Sequence, residues 1–435
     1  MPCTTPAHAE GAGARPRRIV LTTLGSYGDL NPYLGLAVAL RARGHRPVVA
    51  TMPYYRTVVE REGIDFHPVR PDGDPSDHEL LARVMHARRG SEYVIRHVAM
   101  AHLRETWEDL LAIAADADLL VSHPITFATP VVAEYLGTPW VSAVLAPMSF
   151  FSRHDLPVFP NAPWVKGLEA VPGLPRLLVG MAHRMTRSWV RDVERLRRDV
   201  GLPRGAHPVF DGQHAPGLVL ALFSKVLAAP QPDWPPQAQV VGPVWYNGAT
   251  APTLDPALVQ FLDAGPPPIV FTLGTSAVNA PGRFFEESAE ATLRLGVRGV
   301  LLVGRHPAGR PARRLPDTIA VVESAPHAAL MPRAAAVVHQ GGAGTLHQAL
   351  RAGVPMLVVP HAHDQADNAW RACVLGVGRQ VPPSRYTASR VSGELRRLLD
   401  DPSHAAHAAA VATTVRSEDG ASAACDAIDA WLARM

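Results

Sequence analysis

The sequence predicts an α/β protein made of two doubly wound parallel sheets, and three observations support this prediction. First, short apolar segments alternate with amphipathic ones, and this alternation occurs twice along the 435 residues, as is typical of parallel strands joined by crossover helices. Second, a chain of this length exceeds what one hydrophobic core usually supports. Third, a proline- and glycine-rich linker at 245–268 separates the two alternating parts. We therefore expect Rossmann-like domains at 17–244 and 269–435 that face each other across a cleft, with the last helix packing back on the first domain.

The first half begins with a strand at 18–24, which is short, apolar and rich in β-branched residues. The helix after it is predicted to begin near Asn31 and Pro32, because Asn is a good N-cap and proline fits the first helical turn. Further strands are predicted at 47–52, 64–69, 119–123 and 140–145, with helices at 53–62 and after the fourth strand. The insertions 72–115 and 148–205 interrupt this pattern, and such segments usually form loops and helices over the functional edge of a sheet.

The second half repeats the alternation after the linker. Strands are predicted at 269–273, 299–303, 319–323, 335–339 and 354–360, and helices at 281–296, 345–352 and 364–376. In open parallel sheets, ligands bind beyond the carboxyl ends of the strands. The residues that follow these strands are therefore the first candidates for a binding site.

The composition argues against several classes of protein. The formal net charge is +3, charges of both signs are dispersed and Lys/Arg runs are short, so nucleic acid is not an expected partner. The three cysteines lie far apart without metal-ligand spacing, which fits a reducing compartment. The N-terminus lacks the apolar core of a signal peptide, and no apolar run approaches the ~18 residues of a membrane span. We expect a cytoplasmic protein without stable membrane insertion, as a monomer or a homodimer.

The clearest chemical signature follows the strand at 335–339. A glycine-rich turn leads from the end of this strand into a helix. Glycines let the backbone approach a ligand, and the N–H groups and positive dipole end of a helix N-terminus favour an anion. The turn is therefore predicted to bind phosphate, with an added hydrogen bond from the imidazole at the strand end. The residues concerned are His339, Gly341, Gly342, Ala343, Gly344 and Thr345.

Two further strand ends supply polar groups. The first strand of the second half runs into Thr275 and Ser276, which either offer hydroxyls to a phosphate or form an ordinary turn. The strand at 354–360 is followed by Asp364 and Gln365, an acid–amide pair suited to sugar hydroxyls. Two histidines precede that pair, but no complementary set of ligands accompanies them, so no metal site is predicted.

In the first half, Asp29 is the candidate catalytic residue. It follows the first strand at the mouth of the expected cleft, where a carboxylate can take a proton from a hydroxyl. Its ordinary pKa of about 3.9 makes it a weak base, so it needs partial desolvation. His123, at the end of a neighbouring strand, could orient it, although a protonated His123 would lower the pKa of Asp29. The alternative is that Asp29 only complements a helix dipole.

Other nucleotide-binding motifs do not fit. The turn from Gly25 to Gly28 is not G-x-G-x-x-G, and the second strand ends at Met52 without an acid for a ribose, which disfavours nicotinamide and flavin enzymes. A G-x-x-x-x-G-K-[ST] sequence is absent, which excludes a P-loop.

Together these motifs resemble the family 1 glycosyltransferases of the GT-B architecture over essentially residues 17–435. The likeness is to the bacterial branch with antibiotic-, sterol- and rhamnolipid-type members. Residues 25–32 resemble its first-strand motif, G-[ST]-x-G-D-x-x-P. Residues 339–345 resemble its donor motif, H-x-G-x-G-T, and residues 360–368 resemble the continuation of that motif.

The resemblance implies an inverting, metal-independent transfer of a hexose from a UDP- or dTDP-linked sugar, without another cofactor. The acceptor would be a hydroxyl of a small hydrophobic natural product, sterol or lipid, with Asp29 as general base. Donor contacts are implied for the 339–345 turn and for Ser26, Thr275, Ser276, His327, Asp364 and Gln365. Candidates for an apolar acceptor pocket are Phe127, Trp140, Met148, Phe150, Phe151 and Trp164. The alternatives are a nucleotide-sugar epimerase of the same architecture and a non-catalytic partner protein.

Overall fold

The computed structural model describes residues 15–74, 77–160, 162–246, 248, 253–275, 277–306 and 309–435. Within this part of the chain there are two sheets, one of seven strands and one of six. Every pair of neighbouring strands in both sheets is parallel. The predicted fold class is therefore confirmed.

The first sheet has the strand order β3-β2-β1-β4-β5-β6-β7. Its strands are β1 Arg18–Thr22, β2 Arg46–Thr51, β3 Asp65–Pro68, β4 Leu119–Ser122, β5 Trp140–Val144, β6 Val219–Ala221 and β7 Ala238–Val240. The helices in this half are α1 Tyr27–Ala42, α2 Arg56–Arg61, α3 His78–Val84, α4 Gly90–Tyr93, α5 Leu103–Ala114, α6 Ala128–Leu136, α7 Leu174–Thr186 and α8 Arg191–Asp199. Because β1 pairs with β4 in parallel, their carboxyl ends lie side by side. Asp29 and His123 follow these two ends.

The second sheet has the strand order β10-β9-β8-β11-β12-β13. Its strands are β8 Ile269–Thr272, β9 Gly299–Leu302, β10 Ile319–Val322, β11 Ala336–His339, β12 Met356–Val358 and β13 Gly378–Gln380. The helices are α9 Pro256–Asp263, α10 Phe284–Leu295, α11 His327–Leu330, α12 Ala343–Ala352, α13 Gln365–Val374, α14 Ala388–Asp400, α15 Pro402–Ser417 and α16 Gly420–Leu432. Since β11 lies between β8 and β12, their three carboxyl ends meet at one edge of the sheet.

The first helix begins earlier than the sequence predicts. It starts at Tyr27 rather than near Asn31, because Ser26 and Asp29 form a capping box. The Ser26 side chain accepts a hydrogen bond from the Gly28 N–H, and the Asp29 side chain accepts one from the Ser26 N–H. Pro32 consequently lies inside α1. The prediction of a helix start at Asn31 was wrong because a serine–aspartate capping box precedes the Asn-Pro signal.

Strands β6, β7 and β13 were not predicted from the sequence. Each has three residues, too few to show a periodic pattern. Parallel pairing defines them: β6 lies between β5 and β7, and β13 pairs with β12.

The two sheets share an apolar cluster, to which Val144 contributes from the first domain and Val270 from the second. The final helix, α16, packs against α1 of the first domain. There, His45 Nε2 lies 2.9 Å from Asp429 Oδ1, and Ile428 belongs to the first domain's core. In the described ranges, no helix combines the length and apolar character needed to cross a membrane.

Candidate active site

Asp29 is held at the carboxyl edge of the first sheet by the start of its own helix. Its Oδ2 accepts hydrogen bonds from the Ser26 N–H at 2.8 Å and from the Ser26 hydroxyl at 3.3 Å. Gly25 has a φ of 130°, and a Cβ at that position would collide with the Asp29 carboxylate. The Tyr55 hydroxyl donates to the Gly25 carbonyl at 2.8 Å. The turn that presents Asp29 is therefore held from both sides.

Burial raises the pKa of Asp29 to about 6, although hydrogen bonds from Ser26 act in the opposite direction. One third of its side-chain surface nevertheless stays accessible, so a substrate in the cleft can reach it. A carboxylate with this pKa is a stronger base near neutral pH than an ordinary Asp. The structure thus supplies the desolvation that a catalytic role for Asp29 requires.

His123 lies beside Asp29 as a neutral ring. Its Nε2 is 3.6 Å from Asp29 Oδ1, which is longer than a hydrogen bond. Burial lowers the pKa of His123 to about 3. Its Nδ1 accepts from the Ile125 N–H at 3.4 Å, which assigns the ring proton to Nε2, the nitrogen nearer Asp29. A protonated His123 would lower the pKa of Asp29 and weaken it as a base. Because the ring is neutral, it does not have this effect.

His339 does not face the opening as expected. Its side chain is fully buried, Nδ1 accepts from the Gly341 N–H at 3.0 Å, and Nε2 lies 3.3 Å from Met356 Sδ. Burial lowers its pKa to about 3, so the ring is uncharged. Both ring nitrogens have partners within the domain, so a hydrogen bond from His339 to an oxyanion stays a prediction. In this geometry the ring and the Gly341 N–H shape the turn.

The first turn of α12 is open to a ligand. Gly344 is exposed, and a Cβ placed on it would meet nothing within 4 Å. The hydrogen-bond ladder of the helix begins with the Leu346 N–H, which donates to the Gly342 carbonyl at 2.9 Å. The N–H groups of Ala343, Gly344 and Thr345 precede that ladder and point out of the helix start, where the dipole favours an anion. This end of the ten-residue helix can hold a diphosphate.

Asp364 is connected to the glycine-rich turn by Asn368, a residue for which the sequence predicted no role. The Asn368 side-chain amide donates to Asp364 Oδ2 and to the Gly341 carbonyl, each at 2.8 Å. The motif that includes Asn368 was the only sequence signal for it. Burial, with a smaller contribution from the charge of Asp29, raises the pKa of Asp364 to about 7. The two carboxylates therefore lie near enough across the cleft to interact.

Gln365 uses part of its side chain within its own turn. Its Oε1 accepts from the N–H groups of His361 at 2.8 Å and Ala362 at 3.1 Å. The side-chain oxygen of Gln365 therefore already has hydrogen-bond partners. The side-chain NH₂ group is the part of Gln365 that remains for the expected sugar contact.

The remaining predicted donor residues lie around this edge of the second sheet. The Thr275 hydroxyl donates to Ser26 Oγ at 3.3 Å, across the cleft. His327 is the first residue of α11, and its charge contributes to lowering the pKa of His339, so these two rings are neighbours. Burial lowers the pKa of His327 to about 4. Ser276 lies outside the described residues.

A cavity of about 260 Å³ opens beside His123 in the first domain. Phe127 and Trp140 line it, as does His214, whose Nδ1 is buried and has no hydrogen-bond partner among the residues that the structure describes. Of the other apolar candidates, Phe150 stacks on a core tryptophan at 4.1 Å and Trp164 is 63% exposed. Two of the six predicted pocket residues therefore wall this cavity.

Over the ranges given above, no group of three or more His, Cys, Asp or Glu side chains is arranged to hold a metal ion.

The two parallel-sheet domains, in contact across the cleft through Thr275 and Ser26, have the GT-B architecture of glycosyltransferases. Residues 19–149 match the glycosyltransferase family 28 N-terminal domain. Residues 301–425 match the erythromycin biosynthesis protein CIII-like C-terminal domain.

The chain is 32% identical over 424 residues to O-mycaminosyltylonolide 6-deoxyallosyltransferase of Streptomyces fradiae, covering 95% of this chain and 97% of that protein. It is 29% identical over 439 residues to a sterol 3-beta-glucosyltransferase of Aspergillus fumigatus, covering 95% of this chain but 30% of that longer protein. The chain belongs to the family 1 glycosyltransferases and is a glycosyltransferase.

Solved structures show the same fold. The kitacinnamycin glycotransferase aligns with a TM-score of 0.70 at 24% identity, over 96% of this chain and 100% of that one. The glycosyltransferase VinC, solved in complex with dTDP, aligns with a TM-score of 0.66 at 20% identity, over 96% of this chain and 100% of its own. At these identities the likeness concerns the fold.

Proposed function

We propose that this enzyme moves a hexosyl or deoxyhexosyl group from a nucleotide diphosphate sugar to a hydroxyl of a small hydrophobic acceptor, a natural product or a sterol. The transfer inverts the anomeric configuration and uses no metal ion. The observation that carries the proposal is the open start of α12 beside a desolvated Asp29, with Ser26 and Thr275 joined across the cleft at 3.3 Å. We favour a dTDP-linked donor over a UDP-linked one, because a similar protein is a 6-deoxyallosyltransferase and VinC was solved with dTDP.

The second domain, residues 269–435, holds the donor. The first-turn N–H groups of α12 bind the diphosphate, where negative charge grows as the sugar leaves. Preorganised donors at such a position are effective, and losing one typically lowers turnover by about 10²–10³. Asp364 and the Gln365 NH₂ group bind sugar hydroxyls, with Asn368 holding Asp364 in place.

The first domain, residues 17–244, holds the acceptor in the cavity beside His123. Asp29 takes the proton of the acceptor hydroxyl as its oxygen bonds to the anomeric carbon. The bond from that carbon to the phosphate oxygen breaks, and its electron pair leaves with the diphosphate. Attack from the side opposite the nucleotide inverts the configuration.

A mass-spectrometric screen of dTDP- and UDP-hexoses against macrolide aglycones and sterols tests the proposal. The parent protein should give a product heavier by one sugar, whereas Asp29→Asn should give little product and still bind dTDP or UDP in calorimetry. Equal transfer by both proteins would refute the base assignment. An epimerised donor without an acceptor product would favour the epimerase alternative, and no reaction with any donor would favour a non-catalytic partner. Family membership stands against both alternatives.

A further inference from the structure

Residues 78–93, which we call the strap, belong to the insertion between β3 and β4 of the first domain but reach across to the second. Met85 packs against an apolar cluster of the second domain. The ring of His78 lies 3.5 Å from that of His306, measured between centroids. Helix α3 also contacts the 3₁₀ helix Ala277–Asn279, at the same edge of the second sheet as the donor site. The strap therefore lies over the cleft.

The strap meets the donor site at His363, whose backbone is unusual. His363 has a φ of 56°, a left-handed conformation that is unfavourable for a residue with a Cβ. Its Nδ1 lies 3.2 Å from Ser91 Oγ, and the Val84 carbonyl hydrogen-bonds its ring. A Cβ on Gly90 would lie 3.6 Å from the imidazole Cε1 and would collide with the Val84 carbonyl. Glycine at position 90 thus lets the strap fold closely around the ring.

These contacts suit a neutral imidazole. Burial lowers the pKa of His363 to about 4, so at neutral pH the ring has one N–H and one lone pair. A carbonyl can only accept, so the pairing that satisfies both ring nitrogens gives the N–H to Val84 and lets the Ser91 hydroxyl donate to Nδ1. The strap thereby stabilises a backbone conformation that His363 would otherwise disfavour.

His363 directly precedes Asp364 in the turn at the start of α13. Within the second domain, this turn is held by Gln365, through its own backbone N–H contacts, and by Asn368, through Asp364. The strap adds a contact from the first domain. The position of the Asp364 carboxylate is therefore linked to the distance between the two domains.

We propose that His363 is a positioning residue that latches the strap over the sugar end of the donor site. When the cleft is closed, the strap holds His363 in its left-handed conformation, and Asp364 takes its sugar-binding position. When the cleft opens, the ring loses Val84 and Ser91, and the donor can enter or its nucleotide can leave. Closure also keeps water from the donor and so limits its hydrolysis. This inference rests on the proposed function, because it assigns the sugar to Asp364.

The test compares His363→Gly, His363→Asn and Ser91→Ala with the parent. Glycine favours the left-handed region, so His363→Gly should fold while losing both hydrogen bonds. We expect its donor KM to rise by about tenfold, the change typical of losing such contacts, with a smaller change in kcat and a higher ratio of donor hydrolysis to transfer. His363→Asn should recover part of the loss, because Asn tolerates this conformation and has a donor and an acceptor.

Ser91→Ala should act in the same direction and add little to His363→Gly, since His363→Gly already removes the hydrogen bond with Ser91. Arg88→Ala, at an exposed position of the strap, is the matched control and should behave as the parent. The proposal would be overturned if His363→Gly had the same donor KM and the same ratio of hydrolysis to transfer as the parent. It would also be overturned if the effects of His363→Gly and Ser91→Ala were fully additive in the double variant.

Hydrogen–deuterium exchange separates failure of the strap from failure of the proposed function. The backbone N–H groups of 78–93 should exchange faster in His363→Gly than in the parent and Arg88→Ala, with or without dTDP. Identical exchange in all three would overturn the latch whatever the activity. Absence of turnover by the parent would count against the proposed function, while the exchange result would still decide the latch.

Discussion

The two carboxylates that face each other across the cleft are held in different ways. Asp29 is held by Ser26, three residues earlier, in the cap of its own helix. Asp364 is held by Asn368, which also binds the Gly341 carbonyl, 27 residues away in sequence. Burial raises the pKa of both, to about 6 for Asp29 and about 7 for Asp364.

The difference indicates which perturbations each side of the site tolerates. The Asp29 side is local, so its geometry should survive changes elsewhere in the first domain. The Asp364 side depends on the packing of α13 against the glycine-rich turn and against the first domain. Disturbing that packing should therefore impair donor binding before it impairs proton transfer.

The largest expected effect comes from neutralising each carboxylate in turn. Asp29→Asn should lower kcat by about 10²–10⁴, the usual contribution of a general base, with little change in nucleotide affinity. Asp364→Asn should instead raise the donor KM, because it removes the negative charge proposed to bind the sugar hydroxyls. Steady-state kinetics with calorimetric binding of dTDP or UDP measures both. The predicted contrast is wrong if Asp29→Asn and Asp364→Asn show the same changes in kcat and in donor KM.

The next effect concerns the buried ion pairs that anchor α13. Arg371 pairs with the fully buried Asp367 at 2.7 Å and, across the domains, with Asp155 at 2.8 Å. Arg371→Met leaves the buried Asp367 without its cation, while Asp155 keeps its ion pair with Lys166, and should lower the free energy of unfolding by about 3–5 kcal/mol. Urea denaturation measures the change. Arg283→Met is the control: the Arg283 side chain is 77% exposed in its ion pair with Glu287, so the free energy of unfolding should stay within about 0.5 kcal/mol of the parent. Similar losses in the two variants would contradict the role of burial.

Removing Asn368, which holds Asp364, or the Ser26 side chain, which helps to hold Asp29, should lower the free energy of unfolding by smaller and unequal amounts. Asn368→Ala removes one hydrogen bond each from the Gly341 carbonyl and the Asp364 carboxylate and should lower the free energy of unfolding by about 1–3 kcal/mol, with weaker donor binding. Ser26→Ala removes a helix cap and should lower it by about 1 kcal/mol, while the Ser26 N–H still holds Asp29. Thermal or urea unfolding with donor titration compares them. If Ser26→Ala weakened donor binding more than Asn368→Ala does, the conclusion that donor binding depends on the Asp364 side of the site would be wrong.

The pH dependence should give the mildest effect. Asp29 must be ionised to accept a proton, and its pKa is about 6, so kcat/KM should increase from pH 5 to pH 7. At one unit below that pKa, about one tenth of the plateau rate should remain. A pH series on the parent and on Asp29→Asn, whose residual rate should lack this inflection, provides the check. A flat profile in the parent between pH 5 and pH 7 would indicate an ordinary, solvated carboxyl.

Much of the fold follows from local patterns. Apolar β-branched strands such as β1 and β8, and the glycine-rich turn before α12, are recognisable because strand runs and turn chemistry depend on neighbouring residues. The three-residue strands β6 and β13 were not predicted from local pattern and are defined by their pairing partners. The start of α1 was misplaced because two valid start signals compete within six residues.

The sequence alone determined the class of the fold, the order of its elements and the candidate residues at the strand ends, since these depend on periodicity and residue chemistry. The tertiary structure decided what those residues can do. It buried His339 and used both its ring nitrogens, made His123 neutral, raised the pKa of Asp29, and placed Asn368 where it holds Asp364. The reason is that burial, protonation and hydrogen-bond partners depend on atoms that are distant along the chain and come together only when the two domains pack.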